Sequence, residues 1–98
     1  MKTKQEVLKV LEAVRDEVRR RYEVRDLALF GSLARGEQGA SSDIDILVDF
    51  EEGADLFDLV GLSGFLEERL HEKVDIVPRR ALREELRDAI LKEAVYLP

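Results

Sequence analysis

The chain has 98 residues, of which 45% are hydrophobic and 39% are charged, and it contains no cysteine. This length supports one modest hydrophobic core, so we expect a single domain over residues 1–98. The composition excludes disulfides, zinc thiolate sites and thiol nucleophiles. The longest apolar run, residues 27–30, is too short to span a membrane, and no apolar stretch follows the basic N-terminus as in a signal peptide. We therefore expect a cytoplasmic protein.

Charge is unevenly distributed along the sequence. Residues 26–77 contain thirteen acidic and three basic side chains, whereas the two ends are mildly basic and the whole chain carries a net charge of −6. A surface that binds nucleic acid by counterion release needs positive charge. We therefore do not expect DNA or RNA as a direct ligand, and the acidic middle of the chain favours a cation.

The first predicted element is a long amphipathic helix. Thr3 and Glu6 form a capping-box pattern, and apolar residues then recur at three- and four-residue spacing as far as Tyr22. Its C-terminal half contains Arg15, Arg19, Arg20 and Arg21. We interpret these arginines as a solvated face of the helix, and a docking surface for an acidic partner is the alternative.

Two strands and a loop are predicted next. Residues 27–30 indicate a buried strand that Gly31 closes, and residues 36–42 have the composition of a loop. From Asp43 to Phe50, acidic and β-branched residues alternate before the segment becomes apolar. This alternation predicts a strand with one acidic and one apolar face.

The remainder of the sequence alternates between helix and strand. Apolar spacing predicts a helix over residues 56–70, weakened by Gly61 and Gly64, a third strand over residues 73–77 and a last helix over residues 82–94. This order predicts an α+β fold of mixed α/β character, in which a small mixed β-sheet is flanked by helices.

Three aspartates on the predicted strands are candidates for metal binding. Asp43 and Asp45 lie two apart, so their carboxylates share one face with Cα atoms about 6–7 Å apart, and they repel each other unless a cation lies between them. Asp75 joins them if the third strand is a neighbour. Oxygen ligands without His or Cys suit Mg²⁺, and two ions about 3.5–4 Å apart can bracket a displacement at phosphorus. For the Asp-x-Asp pattern alone, a surface pair without a ligand is the alternative.

A glycine-rich turn, residues 31–36, follows the first predicted strand. Gly31 permits close approach of a ligand to the backbone, and the N–H groups near Ser32 would bind an anion if a helix begins there. A strand-to-helix turn with an ordinary serine cap is the alternative. Arg35 either contacts a phosphate or pairs with an acid such as Glu37.

Together these motifs closely resemble the signature of the DNA polymerase β-like nucleotidyltransferase superfamily, and specifically its minimal branch (MNT). The matching segments are Gly31-Ser32, Ala34-Arg35-Gly36, Ser42-Asp43-Ile-Asp45-Ile-Leu-Val48 and Val74-Asp75-Ile-Val77. The resemblance implies that Gly31 and Ser32 hold the phosphates of an NTP, with Arg35 as a further candidate. It also implies that Asp43, Asp45 and Asp75 are catalytic and bind two Mg²⁺ ions, Asp75 helping to activate the acceptor hydroxyl. The reaction implied is attack on the α-phosphorus with release of pyrophosphate.

The resemblance also implies a biological task. Minimal members of the superfamily are similar in lacking a domain that recognises the acceptor, and they are paired with a HEPN-domain protein as antitoxin and toxin. It implies transfer of AMP from ATP to a tyrosine of the HEPN partner. A non-catalytic antitoxin that acts by binding alone and a small-molecule nucleotidyltransferase of the antibiotic-modifying kind are the alternatives. Both a homo-oligomer and a hetero-oligomer remain open.

Five further residues are interpreted as structural or surface positions. We expect His71 to be solvated near the end of a helix. Tyr22 and Tyr96 are interpreted as packing residues with exposed hydroxyls, with self-modification as the alternative. Arg79 and Arg80 are interpreted as surface residues, with a contact to triphosphate as the alternative.

Overall fold

Helices and strands alternate along the chain in the computed structural model, which describes residues 3–37 and 43–97. The helices α1 to α4 span Lys4–Arg21, Gly31–Ala34, Leu56–Leu70 and Glu84–Glu93. The strands β1 to β4 span Val24–Phe30, Ile44–Phe50, Val74–Pro78 and Val95–Tyr96. A 3-10 turn, Arg79–Ala81, precedes α4. Residues 38–42 of the predicted loop lie outside the described residues.

The four strands form one sheet in the order β3-β2-β1-β4. Strand β1 pairs antiparallel with β2 and β4, whereas β2 pairs parallel with β3. The predicted mixed sheet flanked by helices is therefore confirmed. Strand β4 was not predicted, because its two residues are too few to produce a recognisable alternation.

The two faces of the sheet are covered unequally. Ile44, Ile46 and Val48 of β2 lie in the main core, which α1 and α3 complete on one face. Leu47 points to the opposite face, where it joins Ala28 and Phe30 of β1 in a second, smaller cluster. This division follows from the alternation of side chains along a strand.

Helix α1 begins with the predicted capping box. The backbone N–H of Glu6 donates to the Thr3 hydroxyl at 3.2 Å, and the backbone N–H of Thr3 donates to the Glu6 carboxylate at 3.0 Å. One stripe of the helix is buried against the sheet and comprises Val7, Leu11, Val14 and Val18. Arg19, Arg20 and Arg21 at its end are exposed, as expected of a solvated face.

Helix α3 continues through both of its glycines. Glycine is favoured at position 61 because this part of α3 packs closely against Tyr22 at the end of α1. A Cβ atom at Gly61 would lie 2.7 Å from Cε1 of the Tyr22 ring. The Tyr22 ring also packs against Phe65, with the ring centroids 5.8 Å apart. The packing role predicted for Tyr22 is confirmed. Gly64 has open space at the same position.

Helix α4 covers the second face of the sheet only in part. Ile90, Leu91 and Ala94 are half-buried against the smaller cluster, and none of the residues of α4 is fully buried. None of the helices within residues 3–37 and 43–97 is long and apolar enough to cross a membrane.

The two glycines of α3 provide a matched test of its packing against α1. Replacing Gly64 by Ala should raise the free energy of unfolding by about 0.5–1 kcal/mol, because Ala loses less backbone entropy in a helix. Replacing Gly61 by Ala should bring no such gain, because the new methyl group pushes the Tyr22 ring away from its site. Urea unfolding followed by circular dichroism measures both values. Equal gains from the two variants would show that Gly61 is not packed against Tyr22.

Candidate active site

The parallel pairing of β2 with β3 brings two of the predicted aspartates side by side. Asp45 is the second residue of β2, and its partner in the register is Asp75 of β3. Their neighbours Ile44 and Val74 lie in the main core, so both aspartates point to the opposite face of the sheet. The expectation that the two strands are neighbours is confirmed.

Asp43 adds a third carboxylate to this end of the sheet. It precedes β2 and is exposed. The pKa of Asp45 is raised above its ordinary value of 3.8, first by burial and then by the negative charges of Asp75 and Asp43, while Arg35 opposes the shift. Asp43 and Asp75 are therefore both near enough to repel the Asp45 carboxylate. This repulsion is what a bound cation would offset.

Gly31 lies directly against Asp45. Strand β1 ends at Phe30, which pairs with Asp45, and the chain turns at Gly31 with φ at +77°. A Cβ atom at Gly31 would overlap the Asp45 carboxylate. Both the positive φ and the missing side chain favour glycine here. The Gly-Ser turn thus borders the aspartates, as the motif predicts.

Ser32 and Arg35 belong to the short helix α2 and its end. The N-cap of α2 is Phe30 and no side chain caps the helix, so the serine cap of the alternative interpretation was wrong. Arg35 donates from Nε to Glu37 at 2.8 Å and from a terminal nitrogen to Glu93 at 2.8 Å. The predicted pair with Glu37 is confirmed.

Glu93 is a residue of this site that sequence reasoning missed. The backbone N–H of Gly31 donates to its Oε1 at 3.2 Å, while Arg35 contacts its Oε2. Its charge also contributes to the raised pKa of Asp45. One signal was present in the sequence, because Glu93 ends α4, where the helix dipole disfavours an acid. An acid at such a position requires another partner.

The aspartates have the donor chemistry that Mg²⁺ prefers. Within residues 3–37 and 43–97, no three His, Cys, Asp or Glu side chains already form a metal-binding group. Mg²⁺ is commonly held by one or two carboxylates together with substrate phosphates, so a complete ligand set is not required of the protein. Asp45, with Asp43 two residues before it and Asp75 beside it, fits that requirement.

The remaining candidate residues lie elsewhere. His71 ends α3 in the left-handed conformation and is exposed, as expected. Arg79 is 3.8 Å from Asp49, towards the opposite end of β2 from Asp45, and Arg80 is exposed. These positions favour the surface interpretation of Arg80, whereas Arg79 is half-buried and its Nε atom is enclosed. Tyr96 is 46% exposed on β4.

Comparison with known proteins identifies the fold and the family. Residues 11–97 match the nucleotidyltransferase domain family. The chain belongs to the nucleotidyltransferase family. The predicted superfamily is thereby confirmed, and the aspartates and the Gly-Ser turn of this nucleotidyltransferase all lie within the matched range.

Several relatives of this nucleotidyltransferase cover nearly its whole length. Protein adenylyltransferase MntA of Thermococcus cleftensis is 40% identical over 97 residues, which cover 99% of this chain and 98% of that protein. A solved structure of a provisionally named minimal nucleotidyltransferase is 43% identical, with a TM-score of 0.75 and coverage of 90% of this chain and 93% of that one. The predicted minimal nucleotidyltransferase fold is therefore confirmed.

Toxin–antitoxin complexes are also among the similar solved structures. A chain of a toxin–antitoxin crystal structure with AMP-PNP is 27% identical, with a TM-score of 0.70, and the match covers 89% of this nucleotidyltransferase and 72% of that chain. A structure of a tri-AMPylated Shewanella oneidensis HEPN toxin with its MNT antitoxin matches with a TM-score of 0.65, 93% coverage of this chain and 71% of that one. At 22% identity, the second likeness shows the fold alone.

The raised pKa of Asp45 makes the stability of the metal-free nucleotidyltransferase depend on pH. Between 3.8 and the raised value, the folded protein binds the Asp45 proton more tightly than the unfolded chain does. The bound proton therefore contributes to the free energy of unfolding at low pH, and this contribution is lost as pH rises through that window. Asp45→Asn removes it, so we expect the variant to gain stability relative to wild type as pH rises from below 3.8 through that window. Urea unfolding across this range in EDTA measures the difference. A constant difference would contradict the repulsion described above.

Proposed function

We propose that this chain is a Mg²⁺-dependent protein adenylyltransferase that transfers AMP from ATP to a tyrosine of a partner HEPN toxin, and so acts as an antitoxin in the cytoplasm. In this proposal residues 1–98 form one nucleotidyltransferase domain. The observation that carries it is the placement of Asp45 beside Asp75 on one face of the sheet, with Gly31 in contact with Asp45. This arrangement supports a cation site at the aspartates and a phosphate site beside it at the Gly-Ser turn.

The phosphate side of the proposed reaction uses the turn after β1. The Gly31 N–H, the Ser32 hydroxyl and the Arg35 guanidinium are donors that suit the oxygens of a triphosphate. Binding there would orient the α-phosphorus towards Asp43 and Asp45. These two carboxylates would hold Mg²⁺, which supplies positive charge that activates the attacking hydroxyl and stabilises the leaving pyrophosphate.

The acceptor side of the proposed reaction uses Asp75. Its carboxylate lies beside Asp45 and is exposed, so an incoming hydroxyl can reach it. We infer that Asp75 orients this hydroxyl and accepts its proton. The hydroxyl oxygen then forms a bond to the α-phosphorus, the bond from that phosphorus to the bridging oxygen breaks, and pyrophosphate leaves.

A protein acceptor is supported by the relatives and by the surface of α3. The relative from Thermococcus cleftensis is named a protein adenylyltransferase, and similar solved chains belong to toxin–antitoxin complexes. Three large hydrophobic side chains at the start of α3 are exposed, Leu56 by 72%, Phe57 by 86% and Val60 by 60%. Contiguous exposed apolar surface of this kind is typical of protein-binding sites.

Asp45→Asn tests the catalytic proposal, with Asp49→Asn as its matched control. Both aspartates lie on β2 and point to the same face, but Asp49 is 3.8 Å from Arg25 and from Arg79 and lies away from the Gly-Ser turn. Loss of a metal ligand should reduce AMP transfer on the order of a thousandfold, whereas the control should retain it. Mass spectrometry of a HEPN partner, co-expressed with each variant, measures the added AMP.

The outcome that contradicts this proposal is a partner that gains no nucleotide mass from the wild-type chain with ATP and Mg²⁺. If wild type does transfer AMP, Asp43→Asn distinguishes catalytic neutralisation of the toxin from neutralisation by binding alone. Under our proposal the variant loses both AMP transfer and protection from the toxin. A variant that still protects, while transferring nothing, would show that masking is sufficient.

Dependence on Mg²⁺ can be measured without an acceptor. Mg²⁺ with AMP-PNP should raise the thermal unfolding midpoint of wild type, since a ligand that binds only the folded state stabilises it. The same addition should have a much smaller effect on Asp45→Asn, because a metal ligand is missing. Equal shifts in both proteins, or an undiminished shift with AMP-PNP in EDTA, would argue against a metal at the aspartates.

A further inference from the structure

Glu93 contacts both of the phosphate donors that the structure positions by direct hydrogen bonds. Its Oε1 accepts from the Gly31 N–H at 3.2 Å, and its Oε2 accepts from the Arg35 guanidinium at 2.8 Å. Only 25% of the Glu93 side chain is exposed, so the carboxylate lies within the site and not at its rim. One anionic group therefore bridges the turn after β1 and the arginine that follows it.

A carboxylate presents the same chemistry to these donors as a phosphate does. Each group offers negatively charged oxygen acceptors, and the guanidinium of arginine binds either of them through its N–H groups. The Gly31 N–H has a single hydrogen, so it cannot donate at full strength to Glu93 and to a triphosphate together, and the two anions would also share the positive charge of Arg35. The charge of Glu93 further opposes the arrival of an anionic nucleotide beside Asp43, Asp45 and Asp75.

We propose that Glu93 is an internal competitor of the donor nucleotide. Its carboxylate occupies the position of phosphate oxygens at Gly31 and Arg35, and it must leave before the triphosphate binds. This inference rests on the proposed function, because it assumes that these donors bind the nucleotide. It adds a residue of α4 that sets the affinity of the site and keeps Arg35 paired when no nucleotide is present.

The position of Glu93 allows it to leave at little structural cost. It is the last residue of α4, and the adjoining Ile90, Leu91 and Ala94 are only half-buried against the smaller cluster. Rotation of its side chain breaks the two contacts without disturbing the main core. The backbone beyond it stays attached, since Val95 and Tyr96 pair with β1.

Glu93→Gln tests the proposal, and Glu37→Gln is the matched control. Glu37 accepts from the same guanidinium at 2.8 Å. In the described structure the Gly31 N–H donates to Glu93 and not to Glu37. Both variants remove one negative charge beside Arg35, but only the first also replaces the charged acceptor of the Gly31 N–H by a neutral, weaker one. We expect Glu93→Gln to lower the Kd for AMP-PNP with Mg²⁺ on the order of tenfold, and Glu37→Gln to lower it clearly less.

Isothermal titration calorimetry with AMP-PNP and Mg²⁺ provides the dissociation constants. Tighter binding by Glu93→Gln than by Glu37→Gln supports the proposal. This comparison can be made even if wild type binds AMP-PNP too weakly to measure. The proposal is overturned if Glu93→Gln binds AMP-PNP no more tightly than wild type does. It is also overturned if both variants gain affinity equally, because that would be a general effect of charge. If wild type and both variants all fail to bind nucleotide, the proposed function itself fails. If wild type binds and Glu93→Gln gains nothing, the inference alone fails.

Kinetics of AMP transfer provide a second readout that distinguishes competition from catalysis. A competitor for the nucleotide changes KM, so Glu93→Gln should lower the KM for ATP and leave kcat nearly unchanged. A fall in kcat with unchanged KM would instead make Glu93 part of the reaction step and overturn the proposal. Glu93→Asp serves if the Gln variant does not fold. It keeps the charge but withdraws the carboxylate, and an unchanged Kd would overturn the proposal as well.

Discussion

The parallel pairing of β2 with β3 is the constraint on which the candidate site depends. It places Asp45 opposite Asp75 and, in the same register, Ile46 opposite Ile76. A slip of one residue would turn Asp75 towards the main core and an isoleucine towards solvent, which the apolar face of the sheet strongly opposes. The burial of aliphatic side chains therefore determines where the carboxylates meet. No direct attraction between the aspartates is needed, and in fact they repel each other.

Repulsion between the carboxylates consequently destabilises the site, and the folding free energy of the rest of the protein offsets this cost. Asp45 is partly buried beside two other carboxylates, and its pKa is raised as a result. Arg35 opposes this effect, but its guanidinium is shared with Glu37 and Glu93. Under the proposals above, a cation would neutralise the aspartates, and a triphosphate would replace Glu93 at Arg35. If the proposed function holds, metal and nucleotide would therefore bind more favourably together than either does alone.

Much of this architecture could be predicted from the sequence because its signals are local. The capping box at Thr3, the alternation from Asp43 to Phe50 and the motif at Gly31 each involve neighbouring residues, and the structure confirms the elements they predict. Strand β1 begins earlier than its apolar run because Val24 returns to the core through an irregularity in the pairing with β2. No periodicity in the sequence indicates such an irregularity.

The features that sequence reasoning missed depend on distant parts of the chain. Glu93 reaches Gly31 across a separation of 62 residues, and only the packing of α4 on the second face brings them together. Strand β4 has two residues, and its pairing with Ala28 and Leu29 gives it its structure. Gly61 weakened the predicted helix, whereas in the fold its missing side chain accommodates the Tyr22 ring. In each case tertiary contact outweighs local preference.

The two faces of the sheet also separate the residues of the main core from the acidic residues of the candidate site. Aliphatic residues that hold the protein together lie on the face covered by α1 and α3, while the aspartates and Glu93 lie on the other face. Asp45→Asn should leave a folded protein because it relieves repulsion, whereas Glu93 also accepts two favourable hydrogen bonds. The apolar contacts of the main core thus do not depend on the carboxylates that the proposed reaction needs.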